Sequence, residues 1–312
     1  MACYNISRLQ HLKTFETRSA DVSTQYIASA LTLTENDDVI VCDVGTDSVC
    51  VMRGGTGSLL LELDTDPLDQ PTCALQVTLK LKQKPTFHGY LVACRSSLKL
   101  FDSRGQPADV TLTSDVKCPS YLTKDAHGNV LVCDMLDSGS AIVTLHKRTL
   151  KPLNIFLGVT SLSMLHCDVT GLSVANDSAC FMSAWYMCVT SNGDTVLSER
   201  EQHAVKAYTS SGEHLWTFES CDTHGLLFNP AGLTEDPFNH IVVVDNGHDR
   251  VLLLSQDGDC LAQILSHSDD VISPVDVKFN KKRQLLVLLA DGTIKTFDYV
   301  NKIFSHPNNV SK

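Results

Sequence analysis

The stretch LTEDPFNHIVVVDNGHDRV, residues 233–251, recurs in altered form along the chain, and this repetition predicts the architecture. Three copies share an acidic residue, Asp43, Asp134 or Asp245, that follows a short apolar run, and each has a Leu-Thr pair that begins twelve residues before the acid. Short apolar runs bounded by polar turn clusters are typical of strands rather than helices. Each repeat therefore begins with a β-hairpin.

Three further units complete the pattern. Residues 199–212, EREQHAVKAYTSSG, align without gaps on residues 245–258, and weaker copies lie at 90–105 and 285–297. The six units have roughly 35 to 55 residues each, the length expected of four-stranded propeller blades. We therefore predict an all-β fold, a six-bladed β-propeller of four-stranded antiparallel blades over residues 10–300, with tails at 1–9 and 301–312.

The N-terminus predicts how the ring closes. Residues 10–17, QHLKTFET, resemble residues 213–220, EHLWTFES, which form the outermost strand of the fourth unit, whereas the sixth unit has no such strand of its own. The N-terminal strand should therefore complete the last blade and leave only short, protected edges. The alternative is that a similarity over so short a stretch is a coincidence.

Composition and charge restrict the class of protein. Hydrophobic residues make up 43% and charged residues 20% of the 312, which is enough apolar material for a sizeable core. No apolar run is long enough to cross a membrane, and residues 1–10 lack a signal-peptide pattern, so we expect a cytoplasmic protein with no membrane partner. The net charge of −11 disfavours nucleic acid as a partner.

No sequence motif predicts chemistry directly. The twelve cysteines include no CxxC pair, and Cys42 and Cys133 stand where another copy has Val244, so we interpret them as core residues rather than metal ligands. The histidines form no HExxH motif and no recognisable catalytic triad. We therefore expect no enzyme activity, no catalytic or metal site and no cofactor in this chain.

At residues 244–251, VDNGHDRV, the sequence resembles the NHL repeat. A degenerate six-unit array that ends in GTIKTFDYV, residues 292–300, is similar to the C-terminal domains of tripartite-motif (TRIM-NHL) proteins. In that family the propeller recognises targets, and an upstream RING makes the whole protein an E3 ubiquitin ligase. The resemblance implies a protein-binding platform that recognises a ubiquitylation target and is monomeric as an isolated domain.

The loops between the second and third strands and the connections between blades should share one face of the propeller, and binding residues are common on such loops. The repeat positions Asp43, Asp134 and Asp245 are expected to accept backbone hydrogen bonds, and Arg250 is expected to form an ion pair. The residues expected to contact a partner are Arg95, Arg200, His203, Asn246, His248, Phe181, Met182, Trp185 and Tyr186.

The segment 159–183 interrupts the repeat and contributes Phe181 and Met182 to that set. Soft methionine and aromatic side chains on an interblade loop would suit a partner anchor. The alternative is a lengthened strand pair, or a degenerate extra blade packed into the ring.

Two other functions stay open at the level of sequence. RNA binding needs clustered Lys and Arg on the loop face, but the basic stretches at 80–84, 147–148 and 281–283 should lie on the opposite face. A metal-dependent propeller hydrolase or lyase needs carboxylate, Asn or His side chains that converge from several innermost strands, which consist mainly of Leu, Thr and Val. Target recognition is therefore the main hypothesis, and these two functions are its alternatives.

Overall fold

The computed structural model describes residues 9–17, 27–64, 70–80, 85–108, 116–136, 139–157, 184–219 and 227–300. These residues form six antiparallel sheets and two single-turn 3-10 helices, Asn246–His248 and His267–Asp269. Within these ranges no helix is long and apolar enough to cross a membrane. The predicted all-β, six-bladed propeller is confirmed.

The blades follow one another in chain order, and each begins with its innermost strand. Blade 1 comprises β2 (Ala28–Leu33), β3 (Val39–Asp43), β4 (Ser48–Met52) and β5 (Leu59–Glu62); blade 2, β6 (Pro71–Leu79), β7 (Phe87–Cys94) and β8 (Ser97–Asp102); blade 3, β9 (Pro119–Lys124), β10 (Val130–Leu136), β11 (Gly139–Leu145) and β12 (Pro152–Leu157); blade 4, β13 (Ala184–Val189), β14 (Thr195–Glu199), β15 (Ala204–Tyr208) and β16 (His214–Glu219); blade 5, β17 (Pro230–Glu235), β18 (Ile241–Asp245), β19 (Arg250–Leu254) and β20 (Cys260–Leu265); blade 6, β21 (Pro274–Phe279), β22 (Leu285–Leu289), β23 (Thr293–Asp298) and β1 (Gln10–Glu16).

The N-terminal strand closes the ring. β1 pairs antiparallel with β23, from Gln10 opposite Asp298 to Glu16 opposite Thr293, so blade 6 has the strand order β1-β23-β22-β21. The predicted closure is confirmed, and the interpretation of the similarity as a coincidence is wrong. Because the two ends of the propeller share one sheet, blade 6 cannot separate from the ring unless the β1–β23 ladder breaks.

The innermost strands surround the axis. They contact one another in the cyclic order β2, β6, β9, β13, β17, β21 and back to β2. In the first three blades the second residue of this strand is Ser29, Thr72 or Ser120, whose hydroxyl lies 2.9–3.2 Å from the backbone carbonyl of the first residue of the next blade. These contacts join neighbouring blades close to the axis.

A buried carboxylate lies at or near the end of the second strand of each strong repeat. Asp43, Asp134 and Asp245 each accept a hydrogen bond from the backbone N–H sixteen positions earlier in the chain, at 2.7, 2.6 and 3.1 Å. Arg250 Nε also donates to Asp245 Oδ2 at 2.8 Å. The acid therefore fixes the interblade connection to the blade that follows it, a task that recurs around the ring.

Candidate functional site

Two tyrosines from neighbouring blades fill the channel along the axis. Tyr121 of blade 3 donates its hydroxyl to Asp276 Oδ2 of blade 6 at 2.8 Å, and Tyr186 of blade 4 donates to the Ser29 carbonyl of blade 1 at 2.8 Å. Their ring centroids are 5.1 Å apart. Burial raises the pKa of both phenols above the ordinary value, so both are hydrogen-bond donors at neutral pH.

Asp276 is the carboxylate at the centre of this group. It is fully buried; Oδ2 also accepts the Leu31 N–H at 2.9 Å, and Oδ1 accepts the Val277 N–H at 2.8 Å. The Lys278 ammonium lies 3.1 Å from Oδ1. We call Tyr121, Tyr186, Asp276 and Lys278 the axial cluster. Its hydrogen bonds connect blades that lie opposite one another, as well as neighbouring blades.

The axial cluster was not expected from the sequence, which indicates innermost strands of Leu, Thr and Val. One signal was present, since Asp276 lies between Val275 and Val277 on a strand that has to be buried. A buried carboxylate needs hydrogen-bonding partners or a neighbouring positive charge. The repeat comparison could not name the partners, because Tyr121 and Asp276 are 155 residues apart in the chain.

The residues at the axis do not fit a divalent metal ion. A metal-dependent enzyme needs several oxygen or nitrogen donors that converge and are free to coordinate. Both oxygens of Asp276 are already occupied, and one of them faces the Lys278 ammonium. No group of three or more His, Cys, Asp or Glu side chains suited to a metal occurs among the residues that the structure describes.

The buried cysteines behave as core residues. Burial raises the pKa of Cys73, Cys133 and Cys188 to about 12. Because the thiolate is the reactive species, we expect these three thiols not to react with the thiol reagent DTNB at pH 8 in the native protein, and to react after unfolding. Mass spectrometry of the labelled protein checks this, and modification of any of the three in the folded state would contradict it.

The loops of blades 4 and 5 bring several predicted partner-contacting residues together. Arg200 Nε donates to Asn229 Oδ1 at 3.1 Å, and the guanidinium carbon lies 5.5 Å from the centre of the Trp185 ring. Asn229 Nδ2 lies 3.4 Å from Asn246 Oδ1, and His203 Nδ1 lies 2.8 Å from the Phe228 carbonyl. We name this set, which also contains a histidine after β18, the loop-face cluster: Trp185, Arg200, His203, Asn229, Asn246 and His248.

His248 is oriented by a buried carboxylate. Its Nδ1 lies 2.7 Å from Asp245 Oδ2, and its side chain is 13% exposed. A carboxylate only accepts hydrogen bonds, so Nδ1 carries the proton, and in the neutral ring Nε2 is an acceptor. Nε2 is buried and has no hydrogen-bond partner in the described part of the chain. The pair therefore combines one oriented nitrogen with one unused nitrogen.

The other predicted contact residues lie elsewhere. Arg95 is on blade 2, where its Nη1 lies 3.4 Å from Gln70 Oε1. Tyr186 is buried in the channel, because its ring packs against that of Tyr121, and so it does not belong to the loop surface. Phe181 and Met182, with the rest of the 159–183 segment, lie outside the described residues.

The fold and the two clusters define a class, the six-bladed propeller with a polar site on its loop face. Solved structures of this architecture match most of the chain. Virginiamycin B lyase from Staphylococcus aureus is 11% identical with a TM-score of 0.56, and the match covers 92% of this chain and 99% of the lyase. No family model and no curated protein matches the sequence.

Two further structures match at a similar level. A protein assigned to the gluconolactonases has a TM-score of 0.61 at 13% identity, over 91% of each chain. A luciferin-regenerating enzyme has a TM-score of 0.60 at 12% identity, over 93% of this chain and 97% of that one. At these identities the likeness shows the shared fold.

These comparisons correct the functional prediction. The three propellers named above are enzymes or are assigned to an enzyme family, whereas the sequence predicts a target-recognition platform of a ubiquitin ligase without enzyme activity, and both of those expectations are wrong. The resemblance at 244–251 misleads for a physical reason. Asp245 accepts a hydrogen bond from the interblade connection, and Arg250 donates to Asp245. These two residues therefore indicate the fold rather than the function.

Proposed function

We propose that this chain is a propeller enzyme of the hydrolase or lyase class in which His248 is the proton acceptor. The Asp245–His248 pair supports this proposal, since Nδ1 is held at 2.7 Å and Nε2 is unused among the described residues. A carboxylate in this position fixes the tautomer of the ring and stabilises the imidazolium that forms when Nε2 takes a proton. The Asp245–His248 pair therefore contains the two side chains that general-base catalysis by a histidine requires.

The matched enzymes support the reaction class. The staphylococcal lyase is also matched as a catalytically inactive variant in which alanine replaces a histidine. At 11% identity, that match shows a shared fold and assigns no role to His248. It indicates that a six-bladed propeller can depend on a histidine for its chemistry.

Blade 1 shows what the same position does when its role is structural. There Thr46 takes the place of His248, and its hydroxyl donates to the equivalent carboxylate, Asp43. A hydroxyl is therefore sufficient to satisfy the buried acid. The histidine of blade 5 makes the same contact and adds a second nitrogen that the fold does not use.

The proposed proton transfer is the same in both reaction classes, and because Nε2 is buried, it requires the side chains that cover this nitrogen to move. In a hydrolase, Nε2 takes a proton from the water that attacks the substrate carbonyl; in a lyase, it takes a proton from carbon while the bond to the leaving group breaks. Each step uses only side chains of this chain.

Replacing His248 with threonine tests the proposal, because it copies the arrangement of blade 1. We expect kcat/KM to fall by roughly 10²–10⁴-fold, the contribution of a positioned general base, while the melting temperature changes little. The substrates are p-nitrophenyl acetate, δ-gluconolactone and quinupristin, with proton release or chromophore formation as the measurement.

His214→Thr is the matched control, because His214 is an exposed histidine on the outer strand of blade 4. It should leave the rate unchanged. If the wild-type protein turns over none of the three substrates, or if His248→Thr retains full activity, the proposal is incorrect.

A further inference from the structure

We infer that Arg200 and Trp185 form a binding site for an oxyanion group of the substrate, a carboxylate or a phosphate, on the loop face. Its assignment to a substrate rests on the proposed function, whereas the site itself rests on the geometry of these two side chains and Asn229. Among the substrates of the proposed enzyme, this site would favour those that carry an anionic group.

The guanidinium of Arg200 is held on two sides. Its Nε donates to Asn229 Oδ1 at 3.1 Å, and its central carbon lies over the Trp185 ring, 5.5 Å from the ring centre. A cation–π contact and one hydrogen bond restrict a side chain that is otherwise flexible. The two terminal nitrogens have no acceptor among the described residues. Their N–H groups can therefore donate to two oxygens of a carboxylate or a phosphate.

Trp185 occupies a position that serves a different purpose in other blades. It is the second residue of β13, where blades 1 to 3 have Ser29, Thr72 and Ser120, whose hydroxyls join neighbouring blades. Blade 4 lacks that link, and Trp185 is instead 37% exposed. Blades 5 and 6 also lack the hydroxyl, but they have buried Ala231 and Val275 at this position, whereas blade 4 has an exposed indole that contacts an arginine, an arrangement that suits a ligand site.

Arg200 follows an acidic residue that faces a lysine. Glu199, the residue before it, is buried, and its carboxylate faces Lys206 Nζ at 3.5 Å. Burial is the main cause that raises the pKa of Tyr186, and the charge of Arg200 acts against it. Arg200 therefore lies close enough to the axial cluster for its charge to act on Tyr186.

Fluorescence measures anion binding independently of turnover. The chain contains two tryptophans, so Trp216→Phe leaves Trp185 as the single indole. We expect acetate and inorganic phosphate, added at constant ionic strength, to change its emission in a saturable way. Arg200→Gln should weaken binding by at least about tenfold, because it removes a charge-assisted hydrogen-bonding fork. Arg200→Lys should weaken it less, because the charge is kept.

Arg95→Gln is the matched control, because Arg95 is an exposed loop arginine of blade 2 without a stacked ring. It should bind both anions like the Trp216→Phe parent. The inference fails if neither anion gives a saturable change, or if Arg95→Gln weakens binding as much as Arg200→Gln. If no saturable binding is seen but turnover still depends on His248, only the anion site is incorrect. If the anions bind saturably but no substrate is turned over, only the proposed enzyme function is incorrect.

Discussion

Replacing Asp276 with alanine is expected to lower the free energy of unfolding by about 3–5 kcal/mol, the cost of removing one partner of a buried charge pair. The alanine leaves the Lys278 ammonium, 19% exposed, without its carboxylate, and it also leaves the Tyr121 hydroxyl and the Leu31 N–H without acceptors. Because these groups belong to different blades, the loss weakens the ring as a whole. Urea unfolding followed by circular dichroism measures the change.

Two variants test the physical reason for that loss. Asp257→Ala removes an exposed acid from a turn of blade 5 and should change the free energy of unfolding by less than about 0.5 kcal/mol. Adding Lys278→Met to Asp276→Ala should recover part of the loss, since the uncompensated charge is then absent. If the double variant is less stable than Asp276→Ala alone, the charge pair is not the source of the effect.

Gly232→Ala is expected to destabilise the protein by about 3 kcal/mol, at the upper end of the range for overpacking. A Cβ at this position in blade 5 would lie 2.1 Å from Asp276 Oδ1 and 2.4 Å from the Asp276 Cα. The second contact is with backbone, which cannot rotate away as a side chain can. The substitution should therefore separate β17 from β21, and the melting temperature should fall accordingly.

Gly55→Ala provides the comparison within the same chain. A Cβ there meets nothing within 4 Å, so the methyl group causes no clash. The reduced freedom of the unfolded chain then makes this variant neutral or more stable by about 0.4–1 kcal/mol. Equal melting temperatures for the two glycine variants would show that blades 5 and 6 are not packed as described.

The loop-face cluster was predictable in part. Arg200, His203, Asn246, His248 and Trp185 follow from the rule that loops between second and third strands and interblade connections share one face of a propeller. Their role as contacts for a protein partner stays a prediction without a test. The sequence does not indicate Asn229, because its amide connects Arg200 to Asn246 only after two blades have packed together.

The function was the part that repeat analysis misjudged. The motif at 244–251 contains Asp245 and Arg250, which we predicted to be structural, and His248, which we predicted to contact a protein partner. The difference between Thr46 in blade 1 and His248 in blade 5 was visible in the alignment of the repeats. The sequence did not show what this difference means, because the packing around His248 decides whether its Nε2 has a hydrogen-bond partner.

Blade number, strand order and ring closure were readable from the sequence, because strand periodicity and turn residues are local properties and each repeat carries its own copy of them. The similarity of residues 10–17 to 213–220 extended that information to the closing strand, β1. The contacts within the axial and loop-face clusters depend on the tertiary structure. Tyr121 meets Asp276 across 155 residues of chain, and such contacts arise only when blades pack around a common axis, which no local pattern encodes.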